Sequence, residues 1–273
     1  MIQKKWAALM AGTILVAGCG SDNASPEEPA QQADAAPAET PAPAKEEIPA
    51  PEEAEAPIQQ AEPDYRLNTA NWSVEPIGDA PAQAVLLTID DAPADHSVEM
   101  AETLKALGVP AIFFVNGHFL NSEEEKTNLK KIHEMGFAIG NHTYSHTNLK
   151  TIDDEQQREE ILSLSETVEE IIGEAPEFFR APNGTNTDFS TALVEAEGML
   201  LMNWSYGYDW EKQYSNSAAL TDIMVNTEFL RNGANLLMHD RAWTAQALPG
   251  IVKGLESKGY GFIDPVDIER AGK

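Results

Sequence analysis

The stretch Ala84-Val85-Leu86-Leu87-Thr88-Ile89 reads as a strand with no polar alternation. A strand of that kind must be covered on both faces, which points to a parallel sheet flanked by helices. The following sequence keeps supplying the same two ingredients. Residues 97–107 have helical spacing, with Val98, Met100, Ala101, Leu104 and Leu107 on one face and Gly108 as a stop. Pro110-Ala111-Ile112-Phe113-Phe114-Val115 is a second buried strand, and residues 122–135 predict a helix opened by a Ser122/Glu125 capping box. A third strand is expected over 137–140 and a long helix over 153–172, with an Ile161, Leu164, Val168, Ile171, Ile172 stripe. Glu177-Phe178-Phe179-Arg180 is a short fourth strand, a helix over 187–197 leads to a strand over 199–204, and a helix near 217–230 precedes Ala234-Asn235-Leu236-Leu237-Met238-His239. A final helix near 244–258 leads to Gly259-Tyr260-Gly261-Phe262-Ile263. About seven β/α units result, so the fold class is α/β. An open doubly wound sheet and a closed or nearly closed barrel both fit this alternation.

The sequence ahead of these units has a different character. Met1-Ile2-Gln3-Lys4-Lys5 is followed by an apolar run to Ala17 and then Gly18-Cys19, which predicts a secretory signal over residues 1–18. Val16-Ala17-Gly18-Cys19 resembles a bacterial lipobox, and Cys19 is the only cysteine of the chain, so it is the expected lipidation site. Residues 19–65 are rich in Ala, Pro, Glu and Gln and predict a disordered tether, leaving 66–273 as the folded domain. The expected location is therefore exported and lipid-anchored at the extracytoplasmic face of a bacterial membrane. A net charge of −27 disfavours nucleic acid as a partner. A monomer is expected.

In either parallel architecture, functional residues collect at the carboxyl ends of strands. Those ends carry Asp90-Asp91, His142 and His146, Arg180, Asp209-Trp210 and His239. His142 and His146 stand four apart, a spacing that on a helical turn lets both rings meet one ion. Neighbouring side chains of an extended strand diverge, so one carboxylate of Asp90-Asp91 can ligate a cation while the other faces substrate. An Asp-His-His set leaves positions open for water and a substrate oxygen. The planar fork of Arg180 suits holding a carboxylate, Asp209 suits pairing with a histidine or an arginine, and Trp210 suits an apolar wall.

Thr88-Ile89-Asp90-Asp91, His142-Thr143-Tyr144-Ser145-His146, Arg180-Ala181-Pro182-Asn183-Gly184, Tyr208-Asp209-Trp210 and Leu237-Met238-His239 resemble the five ordered motifs of the polysaccharide deacetylase family (carbohydrate esterase family 4, the NodB homology domain). The resemblance implies a distorted (β/α) barrel of about seven parallel strands that removes acetyl groups from an acetylated polysaccharide. It further implies one divalent metal ion, zinc first, with cobalt, nickel or manganese as alternatives. By that resemblance Asp91, His142 and His146 hold the metal, Asp90 is the general base and His239 the general acid. Arg180 orients Asp90, Asp209 supports His239, and Trp210, Leu237 and Asn183 contact the substrate.

Three positions depart from the family pattern: Ala92 where Gly is common, Asn183 where an aromatic residue is usual, and Tyr206 in place of an Asp. The leading expectation is N-deacetylation of N-acetylglucosamine units in peptidoglycan or chitin-like oligomers. The alternatives are a noncatalytic carbohydrate-binding lipoprotein of the same fold and an O-deacetylase of acetylated xylan. A metalloprotease is disfavoured because no His-Glu-x-x-His sequence occurs.

Overall fold

The computed structural model describes residues 62–270. The expected signal segment, Cys19 and nearly all of the expected tether lie outside the described residues. The chain opens with an antiparallel pair, β1 (Tyr65–Asn68) and β2 (Ser73–Pro76). Next come β3 (Ala84–Ala92), α1 (Ser97–Leu107), β4 (Ile112–Val115), α2 (Glu123–Glu134), β5 (Ala138–Asn141) and α3 (Asp154–Ile172). They are followed by β6 (Phe178–Phe179), α4 (Asp188–Ala196), β7 (Leu200–Leu201), β8 (Tyr206–Gly207), α5 (Ser217–Asn226), β9 (Asn235–His239), α6 (Ala242–Ser257) and β10 (Gly261–Phe262).

The main sheet runs in the order β7-β6-β5-β4-β3-β9-β8 with every pair parallel, and β10 pairs with the start of β3. Chain connectivity forces this sheet to curl. Strands β7 and β8 occupy its two opposite edges, yet only residues 202–205 join them. Five Cα steps reach at most about 18 Å, whereas the edges of a flat seven-stranded sheet stand roughly 29 Å apart. Of the two architectures that the alternation allowed, the strand order selects the distorted barrel, here a curled half-barrel.

Strand parity then divides the core. On β3, Val85, Leu87 and Ile89 belong to the cluster that packs under α1, α5 and α6. Ala84 and Leu86 belong to a second cluster with Ile112, Phe114, Phe178 and Met202, inside the curl. The next inward positions of β3 are Thr88 and Asp90, so the barrel interior changes from apolar to polar toward the carboxyl ends of the strands. Tyr65, at the expected end of the tether, is buried against this inner cluster.

Local signals account for most boundaries. Gly108 ends α1 in the left-handed conformation, and Ser122 with Glu125 forms the capping box of α2. The strand expected over 199–204 shortens to Leu200–Leu201 because Asn203 turns its carbonyl to side-chain donors rather than to a neighbouring strand. The helix expected to reach residue 230 ends at Asn226, where Thr227 becomes extended.

Gly140 sits where the ring of Phe114 crosses β5, and a Cβ there would collide with that ring. Phe114 cannot yield easily, since the Arg180 guanidinium lies 4.3 Å from its centroid. Gly140→Ala should therefore destabilise the domain by roughly 1–3 kcal/mol, the usual penalty of overpacking. Thermal denaturation should register this as a Tm lowered by several degrees; an unchanged Tm would mean that the inner packing is loose.

Candidate metal and acid-base site

Asp91, His142 and His146 each offer one ligand atom, and the three atoms lie within 4.8 Å of one another. Their convergence has a local cause that differs from the sequence expectation. The segment from His142 to His146 is a loop, not a helical turn, and Thr143 and His146 take left-handed backbone conformations (φ 67 and 60). That reversal brings the two imidazole centroids to 5.0 Å. Asp91 is also left-handed (φ 65), next to a register shift between β3 and β4, so its carboxylate leaves the direction of Asp90 by a backbone kink rather than by strand pleating. Aspartate tolerates this conformation better than most residues. Ala92 keeps negative φ and continues pairing with Val115, so the backbone freedom that a glycine would add at that position is not used.

The chemistry of these donors fits a divalent cation. His142 is buried, and its Nδ1 lies 2.6 Å from the Arg180 carbonyl oxygen. A carbonyl only accepts, so Nδ1 carries the proton and Nε2 presents its lone pair to the site. Burial pushes the His142 pKa down, outweighing the attraction of Asp90 and Asp91, which keeps the ring neutral. His146 Nε2 stands 3.7 Å from Asp91 Oδ1. The loop is stapled from α3: the Glu160 carboxylate accepts from Ser145 N at 2.8 Å and from Ser145 Oγ at 2.5 Å, and the Glu160 carbonyl accepts from Tyr144 N at 2.9 Å.

Asp90 is held differently. It is 2% exposed, and Arg180 Nη1 donates to its Oδ1 at 2.7 Å, while His142 Nε2 lies 3.5 Å from its Oδ2. Burial would raise the Asp90 pKa; the Arg180 guanidinium, with help from His239, reverses that and holds the carboxyl below its ordinary value. Arg180 is wholly buried and also donates to Thr88 Oγ1 (2.9 Å), the Asn203 carbonyl (3.0 Å) and Asn235 Oδ1 (3.4 Å).

His239 closes β9 with the opposite electrostatics. Asp209, fully buried, accepts from His239 Nδ1 at 2.7 Å, from His239 N at 2.6 Å and from Thr244 Oγ1 at 2.8 Å. Burial works against charge on the imidazole, but the Asp209 hydrogen bond and the nearby carboxylates win and raise its pKa. The charged form of the ring is thereby favoured relative to a free imidazole.

An open cleft of about 380 Å³ joins these groups, lined also by Asn183, Trp204, Trp210, Leu237 and Arg241. Trp210 is 42% exposed, and its ring stands 5.5 Å from His239 and 6.4 Å from Trp204. Asn183 takes a left-handed turn (φ 55), which asparagine accepts well. Tyr206, by contrast, points into the core, where its hydroxyl donates to the Met224 carbonyl. Trp204 and Arg241 were not singled out from sequence, although both follow strand segments and the strand-end rule reaches them. Thr88 and Asn235 carried a weaker signal: each is a polar residue inside an apolar strand.

Residues 77–202 match the family described as polysaccharide deacetylase. A peptidoglycan-N-acetylglucosamine deacetylase of Bacillus cereus is 30% identical over 185 residues, which cover 64% of this chain and 67% of the relative. The chain spans 66% and 67% of the length of two Bacillus cereus proteins of that name. A solved peptidoglycan N-acetylglucosamine deacetylase superposes with a TM-score of 0.61 at 28% identity, covering 68% of this chain and 88% of its own. A CE4 family pseudoenzyme from Bacillus anthracis superposes equally well, with a TM-score of 0.61 at 25% identity, covering 68% of this chain and 64% of its own.

Removing the staple should loosen the ligand loop without touching a ligand. Glu160→Ala is expected to weaken cobalt or zinc binding about tenfold or more, measured by competition with a chromophoric chelator. Unaltered affinity would show that the loop holds its shape without α3.

Proposed function

The chain belongs to the polysaccharide deacetylase family, and from that premise we propose that it hydrolyses acetyl groups on a polysaccharide, foremost the N-acetyl group of N-acetylglucosamine units in peptidoglycan or chitin-like oligomers. The observation that carries this reading is the gathering in one cleft of a cation-ready Asp-His-His set, a buried carboxylate paired with Arg180 and a histidine paired with Asp209.

Asp91, His142 and His146 would hold a divalent ion, zinc first among the candidates, which would supply Lewis acidity when bound. Asp90 takes the proton of the attacking water. Because Arg180 overcomes the effect of burial and keeps this carboxyl below its ordinary pKa, Asp90 is ionised at neutral pH and able to accept a proton. Arg180 also fixes which carboxylate edge faces the cleft, through its 2.7 Å bond to Oδ1. The Asn183 backbone N–H, which has no acceptor among the described residues, faces the role of an oxyanion donor. Amide cleavage fails without a proton for the departing nitrogen, and His239 Nε2 supplies it while Asp209 stabilises the charged ring. Leu237 and Trp210 form the apolar wall for the acetyl methyl group.

The same reading takes residues 1–18 as an export signal, Cys19 as a lipid attachment point, and residues 19–65 as the tether that lets a monomeric domain 66–273 work on the envelope. A noncatalytic carbohydrate-binding role is the second reading, favoured by the likeness to a pseudoenzyme. Acetate release separates the two.

Metal-loaded protein should release acetate from N-acetylglucosamine oligomers or peptidoglycan, with acetylated xylan as the comparison for O-deacetylation. Asp90→Asn and His142→Ala should each lower the rate by about 100-fold or more; full activity in both variants would overturn the assigned roles. The pH profile gives a separate check. Because Asp209 raises the His239 pKa above its ordinary 6.5, activity should persist above that pH and fall as the ring loses its proton. Asp209→Asn should move this basic limb downward, and a limb that stays in place would assign it to another group.

A further inference from the structure

We propose that Arg241 forms an anion subsite beside the acetyl cleft, taking a carboxylate that the polymer carries next to the reacting N-acetyl sugar, so that acidic polymers are preferred over neutral ones. The proposal rests on the deacetylase reading and sharpens its substrate class.

Arg241 follows His239 by two residues, where it is the N-cap of α6. Its side chain lines the acetyl cleft and also the adjoining groove of about 700 Å³. Three arginines pair with carboxylates, Arg66 with Glu75, Arg180 with Asp90 and Arg270 with Glu177, whereas Arg158, Arg231 and Arg241 have no such pair among the described residues, and of these three only Arg241 lines the cleft. The Arg241 guanidinium has no carboxylate or hydrogen-bond acceptor among the described residues; its one partner is the ring of Trp243, 5.5 Å away at the centroid. The distinguishing feature of Arg241 is thus its place at the lip of the cleft.

The arrangement suits capture of an anion. Trp243 is itself fixed, since its Nε1 donates to the Asp209 carbonyl at 2.9 Å. Contact with a ring occupies the face of a guanidinium and leaves its in-plane N–H donors available. The side chain is thus partly ordered before a ligand arrives, which lowers the entropic cost of binding. Through Asp209, the same residue that supports His239, the subsite is tied to the acid side of the cleft.

The surroundings narrow the ligand further. Asp91, Asp95, Glu124, Glu125 and Asp240 line the groove beyond Arg241, and Arg241 is the only cation among its lining residues. A wall of that sign disfavours a dianionic phosphate and any second negative charge. It leaves a singly charged, planar carboxylate, such as a lactyl ether or a uronate, able to meet the guanidinium edge through two N–H donors.

A matched pair of N-acetylated oligosaccharides tests the idea, identical except that one bears a lactyl carboxylate and the other the corresponding amide. With metal-loaded full-length protein, kcat/KM should favour the carboxylate about tenfold or more, and added salt should shrink the preference. Arg241→Gln should bring the ratio near one, and Arg241→Lys should retain part of it. A wild-type ratio of one or below, or a preference that survives Arg241→Gln, overturns the subsite. Calorimetric binding of the same pair separates this from the deacetylase reading. If neither oligomer releases acetate, that reading falls, whereas tenfold tighter binding of the carboxylate still supports the subsite and equal binding overturns it.

Discussion

The buried guanidinium of Arg180 is the interaction on which the rest of the site depends. A charge with no solvent exposure is tolerated only when paired and hydrogen-bonded. Arg180 reaches Asp90 and Thr88 on β3, Asn235 on β9, and the Asn203 carbonyl in the short link between the two edge strands. Its flat face lies against Phe114 on β4. One side chain from the end of β6 therefore ties together the inner wall of the half-barrel near its unpaired seam. Its own carbonyl, in turn, fixes the proton of His142. Loss of Arg180 would strand the Asp90 charge in the interior, a change that typically costs about 3–5 kcal/mol. It would also release the carboxylate and the imidazole that it orients.

The site is polarised in two directions from this centre. Toward Arg180, Asp90 is stabilised as an anion, and His142 remains neutral because burial outweighs its acidic neighbours. Toward Asp209, His239 is stabilised as a cation. Two titratable groups with opposite charge preferences thus stand side by side at the ends of β3 and β9, lining one cleft. The division depends on different partners, an arginine beside Asp90 and an aspartate beside His239. A change on one side need not erase the other.

Much of this was legible in sequence, for reasons that can be named. The unbroken apolar runs of β3, β4 and β9 required cover on both faces and so gave the parallel sheet. The capping signals at Ser122 and Gly108 fixed helix ends. The strand-end rule collected Asp90, Asp91, His142, His146, Arg180, Asp209, Trp210 and His239, which the fold brings to one cleft or to its immediate supports. Spacing did not give the backbone route. The helical-turn reading of His142 to His146 failed because left-handed residues in a loop can bring side chains together over the same separation. The polar partners Thr88, Asn203 and Asn235 were missed because their importance depends on the curl of the sheet. Only the positions of β7 and β8 at opposite edges make them converge on Arg180. Glu160 was hidden for a related reason: its contact with Ser145 belongs to the packing of α3, not to any motif.

The central claim is a division of labour between adjacent carboxylates, Asp91 toward a cation and Asp90 toward Arg180. Anomalous diffraction at the zinc edge from crystals of zinc-loaded protein tests it most directly. The account predicts one peak within about 2.3 Å of donor atoms from Asp91, His142 and His146, with Asp90 uncoordinated and still bonded to Arg180. A peak coordinated by Asp90 in place of Asp91, or no ordered ion at these three residues, would contradict it.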